Sequence, residues 1–375
     1  MRLTDLRPLY ERPGPWASVY ADIGGDVEDV RAAIQLRARS AREQLLEQGA
    51  DARTAQAVHD FIIDRPSPPG RRGLAVFAAG GEVVHSELLP EGPTDTTADW
   101  APLPHVMPLL VQRGARIPHM VVAVDRAGAD ISVWTADPEG HEVLAGGREV
   151  EGSTDPITKV HPGGPGGWSQ ARFQRRAENT WDRNARAVAA EVAEVADRFG
   201  VELIMTAGDV RARRLLQEHL PQRWQEPLVD LETGGRAVGI SPEHLDAARR
   251  AALAEYAARR RRASADRLSQ ELGRRALAVQ GVGPVVNALS EGKVLTVLLE
   301  DHPESDTQLW IGPEPGQLAL FSEDARLMGV DTPEHDRADA AMARALAATA
   351  ADLVVLEGGE GPRPVDGIAA LLRHA

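Results

Sequence analysis

Between residues 169 and 199 the apolar positions Trp181, Ala185, Val188, Val192, Val195 and Phe199 recur at spacings of four and three, drawing one stripe along an amphipathic helix. No Gly or Pro interrupts it, and Gly200 predicts the stop just past its last turn. Ser169 suits the N-cap, but Arg172 stands three residues on, where a capping box needs an acid. Beyond Gly200 the pattern predicts a strand at 201–206 and a helix at 210–219 that stops at Pro221. Strands at 120–124 and 130–135, joined through Ala127-Gly128, precede the long helix. This part therefore reads as a sheet flanked by helices.

Upstream, Trp16-Ala17-Ser18-Val19-Tyr20 alternates like a strand, and helical patterns run over 27–47 and 55–63. Arg65-Pro66-Ser67-Pro68-Pro69-Gly70 breaks the second helix, and 74–78 with 82–88 read as a hairpin about Gly80-Gly81. Downstream, a helix is expected from Pro242 to about Val279, with Ser241 as N-cap and Pro242 at N1. Its Arg259-Arg260-Arg261-Arg262 run reads as a solvated face. Gly281-Val282-Gly283-Pro284 interrupts, a short helix ends at Gly292, and 294–299 reads as a buried strand. A helix over 336–352 then leads to a strand at 353–356. The chain thus divides into an N-terminal α+β domain at 1–118, a middle domain at 119–235 and a C-terminal α/β domain at 236–375.

Composition narrows the chemistry. At 375 residues, 43% hydrophobic and 26% charged, the chain can bury sizeable cores in two or three domains of roughly 150 residues each. No apolar run approaches the roughly 20 residues that span a bilayer, so no membrane partner and a cytoplasmic location are expected. The absence of cysteine excludes disulfides and thiol catalysis, and the eleven histidines lack His-Glu-x-x-His spacing, so neither a metal nor a cofactor is expected. A net charge of −14 argues against nonspecific coating of nucleic acid, so any RNA contact must be local. The only lysines, Lys159 and Lys293, lie in no phosphate-binding loop.

One local exception is basic. Between 159 and 186, Lys159, Arg172, Arg175, Arg176, Arg183 and Arg186 outnumber Glu178 and Asp182 by six to two. Inside this stretch lies His161-Pro162-Gly163-Gly164-Pro165-Gly166-Gly167-Trp168-Ser169-Gln170. Its four glycines in five positions carry an entropic cost that a purely structural loop rarely justifies. Gly167-Trp168-Ser169-Gln170-Ala171 nearly spells a serine-hydrolase elbow, but its fifth residue is Ala and no strand feeds it.

The run Gly166-Gly167-Trp168-Ser169-Gln170-Ala171-Arg172-Phe173 resembles the Gly-Gly-Gln-Ser-Ala-Arg-Arg-Phe segment of archaeal and eukaryotic class-1 peptide chain release factors, a family that includes bacterial relatives of the Balon type. Val201-Glu202-Leu203-Ile204-Met205-Thr206-Ala207-Gly208-Asp209 is similar to the strand and turn after that family's long helix. Gly367-Ile368-Ala369-Ala370-Leu371-Leu372-Arg373 is similar to its closing segment. The resemblance spans roughly 119–375 and implies a ribonuclease H-like middle domain and a C-terminal domain like kink-turn-binding ribosomal proteins. It also implies a ribosome partner, through rRNA and P-site tRNA, and docking of a translational GTPase such as elongation factor Tu by the C-terminal domain.

The departures matter as much. Trp168 occupies the place of the family's catalytic glutamine, and Gln170 lies two residues on. The family's stop-codon readers, Asn-Ile-Lys-Ser and Tyr-x-Cys-x-x-x-Phe, are ruled out because the only asparagines are Asn179, Asn184 and Asn287 and there is no cysteine. Two functions follow from the resemblance: a plug that occupies the A site and peptidyl-transferase centre of idle or stalled ribosomes, or a codon-independent peptidyl-tRNA hydrolase. The candidate rRNA and tRNA contacts are Lys159, His161, Gly163, Gly164, Gly166, Gly167, Trp168, Ser169, Arg172, Arg175 and Arg176. Gln170 is the catalytic candidate, by orientation and oxyanion stabilisation, because a neutral amide is no strong base. Trp168 favours the plug, since stacking suits exposed RNA bases better than it positions water.

Overall fold

The computed structural model describes residues 1, 3–25, 30–66, 72–114, 117–136, 142–153, 167–231, 242–301, 305, 307–356 and 363–374. They form two compact units, one from Met1–Gly114 with Arg259–Ala375, the other from Ala115–Asp137 with His141–Ala258.

The first unit opens with α1 (Arg7–Tyr10), β1 (Trp16–Asp22), α2 (Val30–Glu47), α3 (Ala52–Asp64), β2 (Gly73–Ala79), β3 (Glu82–Leu89), β4 (Thr97–Ala101) and α4 (Met107–Arg113). The antiparallel sheet runs β3-β2-β1-β4. Gly80 and Gly81, at φ of 62° and 83°, close the β2–β3 hairpin in the conformation a two-residue turn demands. Asp51 caps α3 by accepting from the Thr54 amide at 2.9 Å, which starts the helix earlier than periodicity shows. Alternation splits the sheet between two cores: Val19, Leu74 and Val76 meet Ile34, Val58 and Ile62 of the helices, whereas Trp16, Tyr20 and Phe77 enter a cluster with Val285, Leu289, Leu309 and Leu346. Burial on both faces explains why β2 is apolar throughout.

The second unit contains β5 (His119–Val124), β6 (Gly128–Ala136), β7 (Glu142–Glu151), α5 (Gly167–Phe199), β8 (Leu203–Gly208), α6 (Val210–His219), α7 (Gln222–Gln225), β9 (Leu228–Asp230) and the first half of α8 (Pro242–Arg274). Strand order is β7-β6-β5-β8-β9, antiparallel through β7, β6 and β5 and parallel through β5, β8 and β9. The predicted stripe is the buried one: Val188 and Val192 of α5 pack with Met120, Val122 and Ile131. On the other face Leu203 and Met205 meet Leu245, Leu253 and Ala257 of α8.

After α8 the first unit resumes with β10 (Ala278–Gln280), α9 (Val282–Ser290), β11 (Val294–Glu300), β12 (Gln308–Ile311), β13 (Leu318–Ala319), α10 (Ser322–Leu327), β14 (Glu334–Arg337), α11 (Ala338–Thr349), β15 (Asp352–Leu356) and β16 (Ile368–Leu372). A mixed sheet β10-β16-β11-β15 and a small sheet β13-β12-β14 result. The class is the mixed α/β and α+β one expected, and the first and last parts of the sequence share a core.

Two expected helices are shorter in the structure. The one over 242–279 stops at Arg274 because Arg275 turns left-handed at φ 53°, and Ala278–Gln280 pairs with β16 instead. A non-glycine cap gives no sequence signal. The helix over 336–352 begins at Ala338, since Glu334–Arg337 pairs with β12 and the Asp336 carboxylate accepts from the amides of Leu103 at 2.7 Å and Arg337 at 2.6 Å. The proposed Ser241 cap lies outside the described residues. Sequence periodicity misses β7, whose residues are largely exposed and show no apolar alternation.

Candidate functional site

The chain approaches the glycine loop through a rigid anchor. At the β5–β6 turn, Asp125 Oδ1 accepts from the amides of Ala127 at 2.7 Å and Gly128 at 2.8 Å, fixing the carbonyls of Arg126 and Ala127. Gly152 then donates its amide to the Ala127 carbonyl at 2.6 Å. Asn184, buried on α5, closes a clamp: its Oδ1 accepts from the Ser153 amide at 3.0 Å, and its Nδ2 donates to the carbonyls of Ser153 and Arg126, both at 2.9 Å. Only glycine fits at 152, where a Cβ would stand 2.3 Å from Asn184 Cγ and 2.6 Å from the Ala127 oxygen. Ser153 is thus held level with Asn184, while α5 begins seventeen residues before Asn184 (184 − 167), about 25 Å away along the helix axis.

Next to the clamp, Trp181 is buried with the guanidinium of Arg126 4.6 Å from its ring and that of Arg211 5.0 Å from it. Carboxylates hold both arginines, Asp209 to Arg126 at 3.0 Å and Glu178 to Arg211 at 3.2 Å. Asp209 also caps α6 by accepting from the amides of Arg211 and Ala212, each at 3.0 Å. Burial pushes its carboxyl up, but these amides and Arg126 outweigh that and hold it below the ordinary range. Immediately after Trp181 on α5, Asp182 pairs with His219 at 2.7 Å and Arg186 at 3.0 Å, and the His219 contact leads in lowering its pKa. The helix is therefore packed from Ala177 onward, and Trp181 is core, as its place in the stripe predicts.

The candidate contacts stand as follows. Lys159, His161, Gly163, Gly164 and Gly166 lie outside the described residues. Gly167, Trp168, Ser169 and Gln170 form the first turn of α5, so Ser169 is inside the helix and not its cap. Arg172, Arg175 and Arg176 follow within the next two turns of the helix, and Arg176 is exposed. The first-turn amides and the positive end of the helix dipole add to this basic character and suit an anion.

Sequence patterning did not single out Asn184, Arg126, Asp209 or Arg211 as supports. A usable signal existed for Asn184, a poor helix former in a run of Ala, Val and Arg. A second buried network holds the far side of the sheet. Arg249 donates to Glu142 at 2.8 and 3.0 Å, to Asp246 at 2.7 Å and to His119 Nε2 at 2.8 Å. Burial lowers the His119 pKa, and the neutral ring donates from Nδ1 to the Ile117 carbonyl at 2.7 Å.

Residues 118–274, from the strand before β6 through α8, match the model of bacterial archaeo-eukaryotic release factor family 2. Over that segment the chain is similar to the bacterial release-factor-like proteins. It is 29% identical over 381 aligned positions to the uncharacterized protein MT2704 of Mycobacterium tuberculosis strain CDC 1551 / Oshkosh, covering 100% of this chain and 97% of the relative. Among solved structures, the archaeal translation termination factor aRF1 aligns over 98% of this chain and 96% of its own at 18% identity and a TM-score of 0.25. Archaeoglobus fulgidus Pelota aligns over 100% and 92% at 13% identity and a TM-score of 0.33. At scores this low the family segment, and not the superposition, carries the likeness.

Proposed function

We propose that the protein binds the ribosome through residues 159–186 and occupies the A site and peptidyl-transferase centre of idle or stalled particles, as a hibernation or protection factor. The observation that carries this reading is the family segment itself, in which a glycine loop runs into a helix whose first turns bear Arg172, Arg175 and Arg176. Trp168, where the family has its catalytic glutamine, offers a stacking surface to an RNA base in place of a water-positioning amide. The anchor at Asn184 and Trp181 supports the role by giving the segment a rigid base from which to bind. Delivery by a translational GTPase belongs to the same proposal.

The test is sedimentation of purified protein with ribosomes. Wild type should co-sediment, and wild type added to ribosomes loaded with peptidyl-tRNA should release no peptide above background. Gln170 motivates the alternative, because it lies in the first turn of a helix, where free amides could stabilise an oxyanion. Under that alternative, wild type cleaves the ester equally with stop and sense codons in the A site. Gln170→Ala would then slow cleavage while binding stays unchanged.

A further inference from the structure

Eight large apolar side chains stand exposed among the described residues, and four of them crowd into nine positions: Leu320, Phe321, Leu327 and Met328. Single exposed apolar residues are ordinary, but a cluster marks an interaction surface. This one is held firmly, since Leu318, Ala319 and Ala325 beneath it are buried and Gln317 donates to the Met328 carbonyl at 3.2 Å. It continues onto the first turn of α9, where a Cβ at Gly283 would meet Leu320 Cδ1 at 3.3 Å. Val282, the residue before it, lines a cavity with Met107 and Leu299. The same cavity is edged by the carboxylates of Glu300, Asp301 and Asp366, of which Glu300 pairs with Arg363 at 3.5 Å, and Arg337 on its lining is held by Asp339 at 2.8 Å.

Charge around the patch is mostly negative. Between 312 and 335, Glu314, Glu323, Asp324, Asp331 and Glu334 are all exposed, against Arg326 alone among lysines and arginines. An RNA surface would meet these carboxylates with phosphates, and a second copy of this chain would bring the same acidic rim; both are repelled. A basic protein is complementary.

We infer that this face docks a basic protein surface, with an apolar side chain of the partner packed on Phe321 and Leu327. The partner's lysines and arginines face the exposed carboxylates of Glu323, Asp324 and Asp331 around these side chains. Given ribosome binding as proposed above, on which this inference rests, the occupant is a basic ribosomal protein. The chain then holds the particle by two chemically opposite surfaces, arginines on RNA and carboxylates with apolar residues on protein.

Replacing the highly exposed Leu327 with the photo-crosslinking amino acid p-benzoylphenylalanine in the full chain, bound to purified ribosomes, tests this directly. The expected product is a crosslink to one ribosomal protein, identified by mass spectrometry. Phe321→Asp and Glu323→Lys, each checked for unchanged thermal unfolding, should each weaken co-sedimentation by roughly tenfold. If wild type co-sediments but Leu327 crosslinks only to rRNA, to a second copy or to nothing, the docking surface is overturned and ribosome binding stands. If wild type fails to co-sediment, ribosome binding is itself overturned and this inference falls with it.

Discussion

Residues 159–186 and the face around 320–328 belong to one chain of net charge −14, yet they have opposite characters. The first carries six lysines and arginines against two acids; the second carries five exposed acids against one arginine around an apolar centre. Their supports differ too. The basic segment rests on polar anchors, the Asn184 clamp and the paired arginines about Trp181, whereas the acidic face rests on small buried apolar residues such as Ala325. Overall charge is therefore a poor guide to partners here, because the surfaces that could bind are local and differ in sign.

Removing the anchor of the basic segment gives the largest effect. Trp181→Ala should cost the second unit about 3–5 kcal/mol in denaturant unfolding, because a buried indole and two cation–π contacts are lost together. A loss below about 1 kcal/mol would mean the anchor is not what steadies the segment. Reversing Arg172, Arg175 and Arg176 to Glu should weaken ribosome binding on the order of a hundredfold and flatten its dependence on log salt by roughly 2–3. Unchanged co-sedimentation at equal folded stability would erase the contrast between the two surfaces.

A pH experiment sharpens the contrast from the first unit. Burial pulls the His105 pKa down, but Asp339 at 3.6 Å and Asp99 at 3.3 Å outweigh it and raise it from 6.5 to about 9. A raised histidine pKa stabilises the fold fully below pH 6.5, and this contribution, up to about 3 kcal/mol, is lost as pH rises through 9. Asp339 works the opposite way: held below its usual 3.8, it stabilises above that pH and ceases to as pH falls. Unfolding free energy should therefore drop between pH 6.5 and 9 in wild type and stay flat in His105→Gln; parallel curves would assign the drop elsewhere. The smallest effect is expected from Arg186→Ala. Its exposed pair with Asp182 should contribute less than about 0.5 kcal/mol, so a larger loss in unfolding would show that the pair belongs to the anchor.

Elements with a strong apolar period were legible without coordinates. The α5 stripe, the β2–β3 hairpin and β5, β6 and β11 all appear where periodicity and glycine placed them, because side-chain spacing and backbone geometry share one period. The resemblance carried by Gly166 to Phe173 likewise survived as a family segment. Other features left no trace. The left-handed Arg275 and Ala350 end helices without glycine, and exposed β7 pairs through its backbone alone.

Sequence by itself therefore determined the class of the fold, the long helix, the family segment and the basic stretch, all of which are written in neighbouring residues. Only the tertiary structure decided that Asn184 clamps Ser153 thirty-one positions away, that Trp181 lies against Arg126 and Arg211, and that Leu320 comes up against α9 at Gly283. Hydrogen bonds and ring contacts of this kind depend on which distant backbone groups meet, and packing sets that meeting where local pattern cannot.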